Sequence, residues 1–154
     1  MWLEGEMVNN TMCNKKTLEK YTTTFFDMHW RFDIEKPNWD FSWNWCGAVP
    51  NYLLGGVYAL FRDDELLYIG LGNSRGRGIY EDRGISRRLM AHVFRNAHKD
   101  MSVSYVPRKR WSDKGVNLVA TLGFPKDTNY LSPALEDYLI GFLNPPENSV
   151  KTNK

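Results

Sequence analysis

The chain has 154 residues, of which 42% are hydrophobic, 25% charged and 14% aromatic, and its formal net charge is +2. This length and composition predict one globular domain with a sizeable core, and the high aromatic share excludes a disordered chain. No run approaches the roughly 18 apolar residues that a membrane-spanning helix needs, and the start, MWLEGEMVNN, lacks the pattern of a signal peptide. Since Cys13 and Cys46 have neither disulfide-framework nor zinc-site spacing, we expect a reducing, cytoplasmic location.

The first part of the chain predicts a helix and then an aromatic strand. Residues 14–29 carry apolar side chains close to helical spacing, at Leu18, Tyr21, Phe25 and Met28. After Pro37, aromatic residues alternate with other residues, which is typical of an edge strand or of an arm lying on the core. These aromatic residues are Trp39, Phe41, Trp43 and Trp45. Packing explains them most simply, and base stacking or contact with a partner chain is the alternative.

The next segment, GGVYALFRDDELLYIG from Gly55 to Gly70, predicts a β-hairpin. Two short apolar runs are joined by a polar corner, Asp63-Asp64-Glu65. Tyr58 lies near the start of the first strand, and Tyr68 lies near the end of the second. Antiparallel pairing can bring both phenols to one face of the sheet, although the sequence does not define the register.

The remaining elements complete a small α+β pattern. We expect a loop over 71–83, a helix from Gly84 to His98 with inward Ile85, Leu89, Met90 and Val93, and strands over 102–106 and 116–122. Ser132 is expected to cap a last helix, with Pro133 at its first position and Pro145-Pro146 after its end near Leu143. The predicted fold is α+β, with a small mixed or antiparallel sheet of three to four strands flanked by helices. The expected organisation is an N-terminal helical and aromatic arm over 1–50 packed on the core, a main domain over 51–150 and a tail over 151–154.

A strongly basic segment lies in the second half. Residues 75–110 carry ten basic and three acidic side chains, a net of +7, whereas residues 1–47 carry five basic and seven acidic ones, a net of −2. Eight of those ten basic residues are arginines, which suit bidentate phosphate contacts. A solvated surface is the simpler interpretation, but the position of the run favours a nucleic-acid-binding face. The residues expected to bind there are Arg75, Arg77, Arg83, Arg87, Arg108, Lys109 and Arg110.

The two halves of the hairpin, Gly-Val-Tyr and Tyr-Ile-Gly, resemble the signature of the GIY-YIG nuclease superfamily. In that superfamily the next helix carries an arginine, which Arg88 matches, with Arg87 as its alternative, if about eight residues are inserted within 72–84. His92 follows four residues later, at a position where several small members carry histidine. The acidic residue of the last helix and the asparagine twelve residues beyond it match Glu136 and Asn148. The resemblance therefore covers residues 55–148 and implies the GIY-YIG fold.

The resemblance implies a metal-dependent endonuclease that hydrolyses phosphodiester bonds of DNA, one strand per active site. Glu136 would hold one Mg²⁺ or Mn²⁺, and Arg88 would clamp the scissile phosphate. Tyr58 would be the general base, its pKa lowered by the metal, Arg88 or His92, and His92 would then receive the proton. The remaining two roles would be those of Tyr68, which would orient water or phosphate, and Asn148, which would fix Glu136 or the local backbone.

One position departs from the superfamily pattern. Leu71 follows Tyr-Ile-Gly where lysine is common, so that any charge needed there must come from elsewhere, such as Arg75 or Arg77. The chain otherwise resembles compact phage endonucleases and small type II restriction enzymes, which implies a bacterial or phage-infected cell. The expected partner is double-stranded DNA and not a membrane. A restriction-type enzyme that cuts both strands would act as a homodimer.

Three other functions remain open at this point. The first is a structure-selective DNA repair or recombination nuclease, which would carry the same catalytic residues. The second is a nucleic-acid-binding module with little cleavage activity. The third is an α+β interaction protein whose tryptophan-rich arm binds a partner chain.

Overall fold

Two antiparallel sheets and four α-helices form the part of the chain described by the computed structural model, residues 13–73, 81–97 and 103–148. The helices are α1 (Lys15–His29), α2 (Gly84–Met90), α3 (Lys109–Ser112) and α4 (Ser132–Leu143). The strands are β1 (Trp39–Trp43), β2 (Gly55–Arg62), β3 (Glu65–Gly72), β4 (Val93–Ala97), β5 (Val103–Pro107) and β6 (Leu118–Phe124). Short 3₁₀ helices cover Lys126–Leu131 and Pro146–Asn148. The prediction of an α+β fold with a small sheet flanked by helices is confirmed.

The larger sheet has four strands in the order β1-β6-β2-β3. Every neighbouring pair in it is antiparallel, and β2 lies in the interior between β6 and β3. The predicted hairpin is present, with Asp63 and Asp64 as its turn. The strand expected near 102–106 is β5, but it pairs with β4 in a separate two-stranded sheet. We call this pair the β4–β5 ribbon.

Helix α1 forms where it was predicted and packs against α4. The Asn14 side chain accepts a hydrogen bond from the Thr17 backbone, and the Thr17 hydroxyl accepts one from the Asn14 backbone, both at 2.9 Å. This reciprocal cap satisfies two amides that would otherwise have no partner. Of the four apolar positions at helical spacing, Leu18 and Phe25 are buried and Met28 is exposed, while Phe26 is buried as well.

Each face of the large sheet covers its own apolar core. Val57, Ala59 and Phe61 of β2 point toward α1 and α4, whereas Tyr58 and Leu60 point toward α2, α3 and the β4–β5 ribbon. This alternation follows from the two-residue period of a strand. The Tyr58 side of the sheet therefore carries the smaller elements that surround the candidate site.

The aromatic segment forms the edge strand β1, as one of the two expectations had it. Its register against β6 shifts between Asp40 and Trp43. Trp39 packs with the α1 core, while Trp43 and the following Trp45 are buried in the opposite core. A β-bulge redirects side chains in this way, because an extra residue reverses the alternation of faces. The aromatic residues thus contribute to both cores.

The helix predicted over Gly84–His98 is wrong beyond Met90. The chain leaves α2 there, and the next residues pair with β5, Val93 opposite Pro107 and Phe94 opposite Val106. β-Branched and aromatic residues favour a strand once a partner strand is available. The helical spacing of Ile85, Leu89 and Val93 therefore predicted burial correctly but the element incorrectly.

The start of the last helix also differs from the expectation. Helix α4 follows the 3₁₀ turn at 126–131 directly, so Leu131 occupies the cap position. The Ser132 hydroxyl instead donates to the carbonyl of Asn129 at 2.7 Å. The predicted end is correct, because Asn144 adopts a left-handed conformation directly before Pro145.

Two further features concern the helices and the cysteines. Among the described residues, no helix is both long and apolar enough to cross a lipid bilayer. Cys13 and Cys46 are free thiols, and the Cys13 Sγ donates to the carbonyl of Leu143 at the end of α4.

Candidate active site

Tyr58 and Tyr68 lie on the same face of the β2–β3 hairpin. Tyr58 pairs with Gly70, and Leu60 pairs with Tyr68, so the two tyrosines are diagonal neighbours with ring centroids 6.2 Å apart. Leu67 is the extra residue of a bulge, since Phe61 already pairs with Leu66. The expectation that the two phenols share a face is confirmed, and both side chains are buried.

Gly70 provides the space that the Tyr58 ring occupies. A Cβ atom at Gly70 would overlap the ring and hydroxyl of Tyr58. Any side chain at this position would therefore displace the phenol. The glycine of Tyr-Ile-Gly thus has a direct role in placing Tyr58.

His92 lies in the turn after α2 and hydrogen-bonds to two aromatic side chains. Its Nε2 atom is 2.7 Å from the Tyr58 hydroxyl oxygen, and its Nδ1 atom is 3.0 Å from the Trp111 indole nitrogen. An indole N–H can only donate, so Nδ1 accepts and carries no proton. The proton of neutral His92 is then on Nε2, and His92 donates to Tyr58. We expected Tyr58 to pass a proton to His92. In this arrangement the Nε2 atom of His92 already carries a proton and donates it to the Tyr58 oxygen.

Burial and neighbouring charge keep His92 neutral. Burial is the main cause that lowers the pKa of His92 to about 4, and Arg88, Arg110 and Arg108 lower it further. A protonated imidazole would also place an N–H against the Trp111 N–H. The electrostatic environment and the hydrogen bonds therefore both favour the neutral imidazole.

The pKa of Tyr58 is raised in the protein without a metal ion, so a role as general base needs positive charge to lower it. Burial is the largest cause, the neighbouring Tyr68 and the Glu136 carboxylate also raise it, and Arg88 acts in the opposite direction. A buried phenolate lacks solvation, so a nearby positive charge is needed to form it. Tyr58 is accordingly a neutral phenol in the resting site.

Arg88 and Glu136 approach this cluster from two different helices. Arg88 is an exposed residue of α2 whose charge acts on both Tyr58 and His92. Glu136 belongs to the second turn of α4, its charge acts on Tyr58, and its Oε2 atom is buried. The charges of one acidic and one basic side chain thus act on the same phenol.

Asn148 holds the backbone of β3. Its side-chain oxygen accepts a hydrogen bond from the Ile69 N–H, and its side-chain nitrogen donates to the Ile69 carbonyl, both at 2.8 Å. Ile69 lies between Tyr68 and Gly70 on the edge strand, where backbone groups need partners. Of the two roles expected for Asn148, the geometry supports the one at the local backbone.

The basic residues of the predicted nucleic-acid face differ in how close they lie to His92 and Tyr68. Arg110 has its guanidinium 4.1 Å from the Trp111 ring centroid and 5.5 Å from that of Tyr68. Arg108 donates to the Ala91 carbonyl at 2.8 Å, directly before His92. Lys109 pairs instead with Asp113 at 3.1 Å. Arg108 and Arg110 therefore flank the site, and Lys109 projects from α3.

Two of the other predicted binding residues, Arg83 and Arg87, lie just before α2 and on it. Arg83 precedes α2 and is half-buried beside a separate cavity of about 210 Å³ lined by Tyr52 and Tyr105. Arg87 is exposed on α2. Arg75 and Arg77 lie outside the described residues.

Trp111 is the residue of the site that sequence reasoning missed. It belongs to the basic segment RKRWSDKG. The charges of this segment predicted a nucleic-acid-binding surface, and nothing in it predicted that the indole is buried. A single tryptophan within a run of cations was the available signal. Its contact with His92 spans nineteen residues of chain and has no local pattern.

Burial, together with the neighbouring arginines, leads us to expect that His92 stays neutral down to about pH 4. Unfolded histidine titrates near ~6.5, so the unfolded chain binds this proton first as the pH falls. The contribution of neutral His92 to the free energy of unfolding is therefore complete above pH ~6.5. It decreases as the pH falls toward 4, by at most about 1.4 kcal/mol per pH unit.

Nitrogen-15 NMR of the His92 ring measures both properties. We expect an Nε2-protonated tautomer at neutral pH and a titration midpoint near 4. Exposed His29 is the internal control, because it is the other histidine of the described chain. A His92 midpoint between 6 and 7 would contradict this assignment.

No protein-family model, curated protein or solved structure matches the chain. The interpretation of the site therefore depends on the side chains themselves and on their geometry.

Proposed function

We propose that the chain is a metal-dependent DNA endonuclease of the GIY-YIG type that cuts one strand per active site. The observation that carries the proposal is a group of five side chains around the Tyr58 hydroxyl, in which His92 and Tyr68 contact Tyr58 and the charges of Arg88 and Glu136 act on it. They come from two strands, two helices and one turn, and they are Tyr58, Tyr68, Arg88, His92 and Glu136. Phosphodiester hydrolysis needs a base, a cation at the phosphate and a carboxylate for a metal, and this set supplies all three.

Glu136 is the residue that would hold the metal ion. Within the described chain no group of three or more histidine, cysteine or acidic side chains is placed to bind a metal. A single carboxylate with a buried oxygen still fits Mg²⁺ or Mn²⁺, since these ions keep several water ligands and take others from substrate phosphate. When bound, the ion would supply positive charge to the phosphoryl oxygens and beside Tyr58.

Arg88 is assigned to the scissile phosphate. Its side chain is exposed, so substrate can reach it, and its charge already acts on Tyr58 and His92. A guanidinium at this place can stabilise the additional negative charge that develops on phosphorus oxygens in the transition state. Arg108 and Arg110 extend the same positive field on the other side of His92.

Tyr58 is assigned as the general base, with His92 as the group that positions it. The Nε2–H of His92 donates to the Tyr58 oxygen, and such a bond becomes stronger as the phenol loses its proton. Tyr58 first releases its own proton to solvent water. The phenolate then removes a proton from the attacking water, whose oxygen forms a bond to phosphorus while the bond from phosphorus to one sugar oxygen breaks, and the departing sugar oxygen takes a proton from solvent. Trp111 keeps the donor on the side of Tyr58 by occupying Nδ1.

Supercoiled plasmid incubated with the protein tests the proposal. We expect nicked circles to form before linear DNA in Mg²⁺ or Mn²⁺, because one site cuts one strand, and no cutting in EDTA. Slower migration of the plasmid on a gel, without cutting, would favour a binding module or a requirement for a special DNA structure. Neither cutting nor binding would contradict the proposal and redirect attention to a protein partner.

A further inference from the structure

The β4–β5 ribbon has one face packed on the protein and one face exposed. On the inner face Val93 is buried, and the Tyr105 ring lies 5.5 Å from that of Trp43. On the outer face Phe94 and Val106 are directly paired and are 54% and 43% exposed. Large apolar side chains that are exposed as a pair indicate a contact surface.

The outer face is joined to the catalytic cluster through Arg108. The Arg108 guanidinium lies 4.3 Å from the Phe94 ring centroid, and its backbone N–H donates to the His92 carbonyl at 2.9 Å. Phe94 itself lies two residues after His92. A substrate held at the catalytic tyrosine therefore passes close to this face.

The charge of the surrounding chain defines the kind of partner. Residues 83–97 and 103–110 include no acidic residue and seven basic ones, namely Arg83, Arg87, Arg88, Arg95, Arg108, Lys109 and Arg110, of which Lys109 is paired with Asp113. A second copy of this chain that met this face with its own equivalent face would present the same positive charges and would be repelled. A polyanion with apolar surface between its charges is complementary to such a face.

We propose that duplex DNA beside the scissile phosphate lies on the outer face of the β4–β5 ribbon. Phe94 and Val106 contact sugars or base edges, and Arg108 contacts a phosphate. A two-stranded ribbon is narrow enough to enter the major groove of B-DNA. This inference rests on the proposed function and adds the element that grips the substrate.

Equilibrium binding to a short fluorescent duplex in EDTA tests the inference without cleavage. We expect Phe94→Ala to raise the dissociation constant about tenfold, as for the loss of one buried aromatic side chain. The salt dependence of DNA binding by this variant should equal that of the wild type, because no charge is removed. Arg108→Ala should lower the slope of log K against log salt by about 1, as expected for one lost phosphate contact.

Tyr130→Ala is the matched control, since Tyr130 is an exposed aromatic residue outside the ribbon. Its dissociation constant should equal that of the wild type. Unchanged binding by Phe94→Ala, with wild-type cleavage intact, would overturn the ribbon assignment alone. A dimer that Phe94→Ala dissociates in sedimentation would assign the face to self-association and also overturn it. Wild-type protein that neither binds nor cuts DNA would instead overturn the proposed function.

Discussion

Replacing Arg88 with alanine is expected to lower the rate of metal-dependent nicking about 10³-fold, which is within the range for a lost transition-state cation. Arg88 is the α2 cation whose charge acts on both Tyr58 and His92. Its loss would remove the proposed phosphate clamp and also a positive charge that lowers the pKa of Tyr58. The side chain is exposed, so the free energy of unfolding should change by less than about 0.5 kcal/mol.

Arg87→Ala is the matched control for this variant. The two arginines are adjacent on α2, both are exposed, and each substitution removes one positive charge. Arg87→Ala should weaken DNA binding at low salt without reducing the rate at saturating DNA. Single-turnover nicking measures the two effects separately. Equal losses in both variants would show that net charge, rather than the position of Arg88, determines the rate.

Gly70→Ala is expected to have the second large effect. The new methyl group would overlap the Tyr58 ring, which must move away from the Nε2 atom of His92. A displacement of about 1 Å at a reacting group can reduce the rate about 10²-fold. Overpacking of a buried site should also destabilise the fold by about 1–3 kcal/mol.

Gly141→Ala separates the effect at Gly70 from that of adding a methyl group elsewhere. A Cβ at Gly141 meets nothing within 4 Å, and the residue lies in α4, where alanine is favoured over glycine by about 0.5–1 kcal/mol. We expect full activity and a slightly higher melting temperature for Gly141→Ala. Nicking rates, thermal denaturation and the nitrogen-15 shift of His92 give the comparison. A folded, fully active Gly70→Ala with an unaltered His92 signal would contradict the role given to Gly70.

Much of the fold was predictable because its signals are local. Helix α1 and the β2–β3 hairpin follow from apolar periodicity and from the polar turn at Asp63 and Asp64. The β4–β5 ribbon was not predictable in this way. Residues 84–97 have helical spacing as far as Val93, and only the distant strand β5 makes the extended form of Val93 and Phe94 favourable.

In the candidate site, too, the features with a local sequence pattern could be predicted, and those that depend on distant contacts could not. Motif spacing identified residues that the structure brings together, such as Tyr58, Tyr68 and Glu136. The direction of the hydrogen bond between His92 and Tyr58 depends on Trp111, and the raised pKa of Tyr58 depends on complete burial. Neither the partner of a ring nitrogen nor the desolvation of a phenol has a sequence pattern.

The nicking rate of Glu136→Gln beside that of the wild type and of Asp137→Asn is the most direct measurement of the proposed chemistry. Glu136 and Asp137 are neighbours on α4, but Asp137 is exposed, whereas Glu136 is partly buried and its charge acts on Tyr58. We expect Glu136→Gln to lose metal-dependent nicking while it still binds DNA, and Asp137→Asn to cut at the wild-type rate. Full activity of Glu136→Gln in Mg²⁺ would contradict both the metal assignment and the active site described above.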